Sequence, residues 1–478
     1  MTRIETVLAC LPAEIVVTDP DIIAPFMTDF RKQYTGRAKA VLRPRSVEEV
    51  QQIVRTCASH GVALVPQGGN TSYCTAATPD ADESQLLISL DRMSRLRDID
   101  IANLSVTVDA GMVLSVLQDA ADEADLMMPL ALGSQESCRI GGNLSTNAGG
   151  INVVRYGMAR DLVLGLEVVL PDGTLFSDLR PLRKNNAGYD VKQLFLGAEG
   201  TLGIITGASL KLVRKPRQVF TAFLAIKDID SLARLLDAAQ VATGGMISCF
   251  EYLSDPSLSL LLAARPELRF PLGARSDHYV LLEAATASPS LNLEEVLNGF
   301  LETLWGEGEI LDGTLAASDQ QRAEFWHLRE SIPEAEVHHG GSIKHDIAVR
   351  TSRLAAFILE ASSLVHQAAP EAVLSIYGHV GDGNVHFNIL APAGQVASAF
   401  KTDIQTRVSP MIYALAMAME GTFSAEYGIG RTNLALLERY ASPGKLALMR
   451  ALKQALDPHD LMNPGKVLPA QREADQQA

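Results

Sequence analysis

The sequence predicts a two-domain α+β protein: a strand-rich first domain, then an α/β domain that ends in helices. Three observations carry this. A chain of 478 residues exceeds what one hydrophobic core usually organises, and a prior of roughly 150 residues per domain suggests two or three. Hydrophobic residues are 47% and charged residues 20%, the balance of a folded globular chain rather than a disordered one. From about Val41 to Val213 short apolar runs alternate with glycine-rich turns, whereas beyond Arg217 strand and helix patterns alternate.

The elements follow in order. Residues 1–35 read as an N-terminal helical segment, 36–215 as the first domain, 216–469 as the second, and 470–478 as a polar, flexible tail. In the first domain, 46–60 and 114–124 have helical spacing, and Ser46 with Glu49 forms a capping-box signature. Residues 62–66, 86–90, 104–108, 163–170 and 202–205 read as strands. In the second, strand 219–226, helix 231–242 and strand 246–252 form a β-α-β unit, followed by strand 279–285 and helix 293–304. Two strands surround His379, and helices occupy much of 398–456.

Composition and termini exclude several function classes. Lys plus Arg is 41 against 56 Asp plus Glu, a net charge of −15 and the wrong sign for a nucleic-acid binder. The first residues carry acids and a proline where a secretory signal needs an unbroken apolar stretch. The most apolar run, 411–419, falls far short of the roughly 18 residues that span a bilayer and reads as part of a buried helix. The five cysteines (Cys10, Cys57, Cys74, Cys138, Cys249) are odd in number and lack any Cys-x-x-Cys pair, which fits a reducing, cytoplasmic setting.

Glycine clusters carry the first chemical signal, because bare backbone N–H groups can converge on a phosphate without Cβ obstruction. The dinucleotide pattern Gly-x-Gly-x-x-Gly fails: Gly381-x-Gly383 and Gly428-x-Gly430 lack the third glycine and open no β-α-β unit. The P-loop fails too, since neither Gly444-Lys445 nor Gly465-Lys466 is followed by Ser or Thr. Three other clusters mix glycine with Ser, Thr and Asn: Pro66-Gln-Gly-Gly-Asn-Thr-Ser72, Gly141-Gly-Asn-Leu-Ser-Thr-Asn-Ala-Gly-Gly150 and Gly197-Ala-Glu-Gly-Thr-Leu-Gly203. Each alone reads as a tight turn. Three in one domain favour a cofactor with a pyrophosphate.

Those clusters, with Ser137-Cys-Arg-Ile-Gly-Gly-Asn-Leu-Ser-Thr-Asn-Ala-Gly-Gly150 and Asn186-Ala-Gly-Tyr-Asp-Val-Lys-Gln-Leu-Phe-Leu-Gly-Ala-Glu-Gly-Thr-Leu-Gly-Ile-Ile-Thr206, resemble the PCMH-type FAD-binding domain of the vanillyl-alcohol oxidase superfamily. Within it the chain is most similar to the D-2-hydroxyglutarate and D-lactate dehydrogenase branch. The likeness runs to Leu456-Asp-Pro-His-Asp-Leu-Met-Asn-Pro-Gly-Lys-Val467. It implies a two-part FAD domain, an FAD-linked oxidase substrate domain, and a last segment that returns to the flavin. By resemblance the flavin is held by Pro66, Gln67, Gly68, Gly69, Asn70, Thr71 and Ser72; by Pro129, Gly133, Ser137 and Cys138; by Gly141, Gly142, Asn143, Ser145, Thr146, Asn147 and Gly149; by Glu199, Gly200, Gly203 and Ile204; and by Asn463. Covalent members attach FAD through a histidine near the first glycine pair. Here Asn70 follows that pair and no His lies between His60 and His278, so the expected FAD is non-covalent. Glu136 stands where the family usually has glycine, which implies a local loop adjustment.

The segment Tyr377-Gly-His-Val-Gly-Asp-Gly-Asn-Val-His-Phe-Asn388 can be read from geometry. Asp382-Gly383 between apolar residues is a two-residue hairpin signal. With that turn His379 falls directly opposite His386, close enough for two imidazoles to share one ion, and Asn388 lies on the same face. Taken alone the hairpin leaves open a surface turn that happens to carry two histidines. The resemblance adds Glu426, in Ser424-Ala-Glu-Tyr-Gly-Ile-Gly430, as the metal-binding carboxylate. Two His and one carboxylate with open positions suit a divalent ion, Zn²⁺ first, with Mn²⁺ or Fe²⁺ as alternatives.

Arg329 and Lys344 match family positions that bind substrate carboxylates, and the family's Thr four residues after the arginine is Pro333 here, which removes a hydroxyl and an N–H. Asn388 and Tyr427 complete the implied catalytic set. Related enzymes carry Glu-His where this chain has Glu426-Tyr427, and that histidine is their base. Three readings follow: Tyr427 acts as a shifted phenolate, a metal-bound hydroxide or a histidine such as His345 substitutes, or turnover is impaired. The implied activity is FAD- and metal-dependent oxidation of a D-2-hydroxyacid, D-2-hydroxyglutarate first and D-lactate or another D-2-hydroxyacid next. Implied partners are an electron-transfer flavoprotein or quinone-linked carrier and a second copy in a homodimer. The alternatives are an oxygen-using alcohol or polyol oxidase and a flavoprotein without turnover.

Overall fold

The computed structural model describes residues 1–470; the tail expected over 470–478 lies, from 471 on, outside the described residues. The chain forms two compact units. The first comprises Met1–Gly149, Met158–Lys215 and the segment from Glu426 on; the second comprises Gly150–Gly157 and Pro216–Ala425.

In the first unit, helix Val47–His60 buries Val50, Ile53, Val54 and Cys57, a stripe at helical spacing. Ser46 caps it by accepting the Glu49 N–H at 3.3 Å, but the Glu49 carboxylate takes the N–H of Arg45 at 2.6 Å instead of that of Ser46. The expected capping box is therefore half made, its return bond displaced by one residue. A four-stranded sheet runs in the order Val16–Val17, Val41–Leu42, Gln85–Ser89, Ala63–Gln67. The last two strands pair in parallel.

A five-stranded antiparallel sheet runs Leu96–Asp100, Ser105–Asp109, Ile204–Lys211, Val163–Val169, Leu175–Asp178. Its two edge strands are the ones the sequence pattern does not reveal. Leu96–Asp100 and Leu175–Asp178 alternate exposed and half-buried positions, and their polar faces mask the strand signal. Beyond helix Pro443–Leu456 the chain joins the free edge of the four-stranded sheet: Leu64 donates to Leu461 O and Asn463 donates to Leu64 O, both at 2.8 Å. The C-terminal segment thus lies beside the strand that feeds Gly68.

The second unit is built on an eight-stranded antiparallel sheet. Seven strands run Ile310–Leu315, Gln218–Ile226, His278–Thr286, Ile247–Ser254, Val373–His379, Asn384–Leu390, Ser342–Ile343, and Asp346–Ala348 also pairs with Asn384–Leu390. The β-α-β unit read from the sequence is a split one. Helix Leu232–Thr243 does connect Gln218–Ile226 to Ile247–Ser254, but His278–Thr286 lies between them and pairs antiparallel with both. Both faces are covered. Leu224, Tyr252, Ile376 and Phe387 pack in one core and Phe223, Leu253, Tyr279 and Tyr377 in the other, alternation at the two-residue period of a strand. That explains why the strands read as continuous apolar runs.

Candidate flavin cradle and buried charge cluster

The segments expected to hold a flavin belong to the first unit, and four of them contain a non-glycine residue in the left-handed region. Asn70 (φ 54°), Asn147 (φ 51°), Glu199 (φ 52°) and Asn463 (φ 46°) are four of twelve such residues among those described. Strain of this kind persists where surrounding structure imposes it and collects at ligand sites. A Cβ built on Gly68 would meet the backbone N of Gly142 at 3.4 Å, so the first two glycine loops touch.

Side chains in these loops mostly hold the loops themselves. Gln67 donates to Phe26 O and Ala77 O, and Asn70 to Thr28 O. Ser145 and Thr146 turn their hydroxyls back onto Gly141 O and Gly142 O. Asn143 donates to the buried Cys138 sulfur, and Ser137 to Ser134 O. Pro129, Gly149, Gly200, Gly203 and Ile204 are buried, Pro66 and Thr71 half-buried, and Gly133 exposed. The cradle therefore offers its backbone more than its hydroxyls.

Asn463 supplies the test of whether a flavin fits. It is 1% exposed, and its amide donates to Ala76 O at 3.0 Å and Glu199 O at 2.7 Å. Its Oδ1 is buried with no partner among the described residues. An isoalloxazine ring carries an N–H donor that such an acceptor accommodates.

Glu199, buried in this cradle, accepts the N–H groups of Ile429 and Gly430, each at 2.7 Å. Burial pushes its carboxyl up to about 7, against those two hydrogen bonds. Through it the flavin segment holds the stretch that begins Glu426-Tyr427. There Tyr427 meets Tyr73 edge-on, with ring centroids 4.7 Å apart. Both Glu426 and Tyr427 are half-buried.

In the second unit the hairpin is not the two-residue turn expected. A 3₁₀ turn at Val380–Asp382 followed by Gly383 lengthens it, and His386 pairs with Tyr377, not with His379. The shift is two residues, and because side chains alternate with period two, the face is preserved. His379 and His386 remain neighbours, with ring centroids 5.5 Å apart and imidazole nitrogens within 4.8 Å of one another. They can share one ion. Gly383 adopts φ +77°, and a Cβ there would lie 2.0 Å from Val349 O, so only glycine closes this turn.

Around the two rings lies a buried charge network with three acids absent from the sequence reading. Glu251, 0% exposed, stands 2.5 Å from His379 Nδ1 and accepts Arg329 Nε at 2.7 Å. Burial alone would raise its carboxyl, but His379 and Arg329 outweigh burial and hold it at about 2. Arg329 also stacks over Tyr377, 4.7 Å from its centroid. Glu336, also 0% exposed, accepts Lys344 Nζ at 2.8 Å, Ser342 Oγ at 2.7 Å and Asn388 Nδ2 at 2.8 Å. Asp346 pairs across the sheet with His386, its Oδ1 3.9 Å from His386 Nδ1. Its other oxygen accepts the N–H of Ala425 at 3.0 Å, which fixes where the chain leaves this unit one residue before Glu426.

Burial, then the charges of His379, Arg329 and Lys344, push His386 well below its ordinary range, so the ring is a neutral imidazole at physiological pH. His345 does not fit the base role considered for it. It is 1% exposed, its nitrogens are engaged by Phe387 O and Ser409 Oγ, and burial pushes its pKa down to about 4. The sequence does hold a signal for two of the missed acids: Glu251 is a carboxylate inside an otherwise largely apolar stretch, and Asp346 follows Lys344-His345.

Comparison with known proteins agrees with the residues. Residues 215–467 match the family described as FAD linked oxidases, C-terminal domain, and 38–178 match the FAD binding domain. The chain is 37% identical over 462 residues to the mitochondrial D-2-hydroxyglutarate dehydrogenase of Danio rerio, covering 96% of this chain and 84% of that one. It is 36% identical over 455 residues to the D-2-hydroxyglutarate dehydrogenase of Stutzerimonas stutzeri, covering 95% and 96%. The p-cresol methylhydroxylase structure with substrate bound shares its fold, with a TM-score of 0.74 at 15% identity over 97% of this chain and 96% of that one. Alkyldihydroxyacetonephosphate synthase gives 0.72 at 17% identity over 97% and 86%. On its sequence, its fold and these relatives, the chain belongs to the FAD-linked oxidases, in the branch that holds the D-2-hydroxyglutarate dehydrogenases.

Proposed function

We propose that this chain oxidises a D-2-hydroxyacid to the 2-oxoacid, with non-covalent FAD as the electron sink and a divalent ion, Zn²⁺ first, held by His379, His386 and Glu426. The observation that carries the reading is the buried cluster in which two adjacent imidazoles share their surroundings with Arg329, Lys344 and Asn388. The reaction takes the α-hydrogen with both electrons of its C–H bond and the hydroxyl proton from the substrate, and a C=O bond forms. Bound FAD would supply the acceptor for the two electrons, and an ion held by His379, His386 and Glu426 would supply Lewis acidity.

The chain's own residues bind and orient. Arg329, held by Glu251 and stacked on Tyr377, is fixed to receive the carboxylate next to the reacting carbon. Glu251 also orients the His379 ring through Nδ1, the ring that would help to hold the ion. Tyr427 stands at the position of the base. Electrons leave by an electron-transfer flavoprotein or quinone-linked carrier.

Anaerobic mixing with paired D- and L-2-hydroxyacids, D-2-hydroxyglutarate and D-lactate first, tests the reading. The flavin should bleach with D-acids, and chelation should slow it. Bleaching by L-acids or simple alcohols alone would sink the proposal, and bound FAD that no acid bleaches would favour a flavoprotein without turnover, as Tyr427 in place of histidine suggests.

A further inference from the structure

Resting on the reading above, we infer that Glu336 sets the substrate class: the site takes D-2-hydroxyacids with one carboxylate and disfavours those with a second. Glu336 lies on helix Ile332–His338, and its two oxygens hold Lys344, one of the two cations that match carboxylate-binding positions, together with Ser342 and Asn388. Oε2 accepts from Lys344 at 2.8 Å and from Ser342 at 2.7 Å, while Oε1 accepts from Asn388 at 2.8 Å. A distal carboxylate that sought the Lys344 ammonium would compete with a carboxylate already in contact with it.

The charge count leads to the same class. Arg329 and Lys344 are matched one to one by Glu251 and Glu336, and all four side chains are at least nine-tenths buried. With Asp346, which is also buried beside His386, the acids outnumber the two cations by one. A divalent ion with Glu426 would bring that count to zero, so each substrate carboxylate adds a negative charge where water cannot screen it, and a dianion adds two.

Hydrogen-bond chemistry is an independent argument. A carboxylate only accepts, so the Asn388 amide must present Nδ2 to Glu336 and its Oδ1 elsewhere. That Oδ1 is buried without a partner among the described residues. What remains there is an acceptor, which a hydroxyl or a water satisfies and a second carboxylate does not. Pro333, one turn before Glu336, contributes neither hydroxyl nor N–H.

Binding of the product 2-oxoacids to the FAD- and zinc-loaded protein, measured by calorimetry, separates the class from the activity. The protein should bind pyruvate at least about tenfold more tightly than 2-oxoglutarate, and Glu336→Gln should tighten 2-oxoglutarate by about tenfold or more while pyruvate changes by less than about threefold. Tighter binding of 2-oxoglutarate by the unaltered protein overturns the inference even if the variant does not fold. So does a variant that folds and keeps the original ratio. The same samples, mixed anaerobically with D-lactate and D-2-hydroxyglutarate, tell the two proposals apart: bleaching by D-2-hydroxyglutarate with weaker bleaching by D-lactate defeats the substrate class alone. A flavin that neither acid bleaches, with neither 2-oxoacid bound, defeats both.

Discussion

Glu251 holds one ring and one guanidinium with a single carboxylate, so its removal should be felt twice. Glu251→Gln leaves Arg329 buried beside a neutral group, and unfolding by denaturant should show a loss of about 3 kcal/mol. It also frees the His379 ring, so zinc retention during dialysis against a chelator should weaken by about tenfold or more. The pH sign follows from a carboxyl held at about 2 against an ordinary 4.5: its stabilisation is complete above pH 4.5 and lost as pH falls through about 2. Tyr427→His should raise the rate of anaerobic flavin reduction if the tyrosine handicaps the base position; a fall would mean that it has an adapted role. At this scale the sequence revealed cations better than their partners. Arg329, Lys344 and both histidines sit in motifs, whereas Glu251 is 128 positions from the histidine it touches and Glu336 is 52 from Asn388. Only folding brings such pairs together.

The hairpin at Val373–His379 and Asn384–Leu390 shows which part of an element a local pattern can specify. The strands and the face of His379, His386 and Asn388 were legible, because alternation survives any even shift of register. The partner was not, since a 3₁₀ turn and a two-residue turn both end in the same Gly383 signal. Gly383→Ala tests the element: with φ +77° and Val349 O in the way, it should cost at least about 2 kcal/mol, seen as a lowered thermal midpoint. Polar edge strands were illegible for a different reason. Their outward residues interact with water, so no apolar period marks them.

For the molecule as a whole, the first unit closes only through its C-terminal segment, where Glu199 takes two N–H groups from Ile429 and Gly430. Its raised carboxyl gives a pH signature. Stabilisation from Glu199 is complete below its ordinary 4.5 and is lost as pH rises through about 7, by up to about 3 kcal/mol. Glu199→Gln should flatten the stability profile of the FAD-free protein across that window, and an unchanged slope would count against the assignment. The division of the chain also bears on its synthesis. The second unit is complete once the ribosome has passed Ala425, while the first, begun earlier, still lacks the segment that pairs with Leu64. The cofactor domain started first is therefore the last to finish, and a nascent chain stalled near Ala425 would carry one finished unit and one with an open sheet edge, the kind of edge that chaperones must cover.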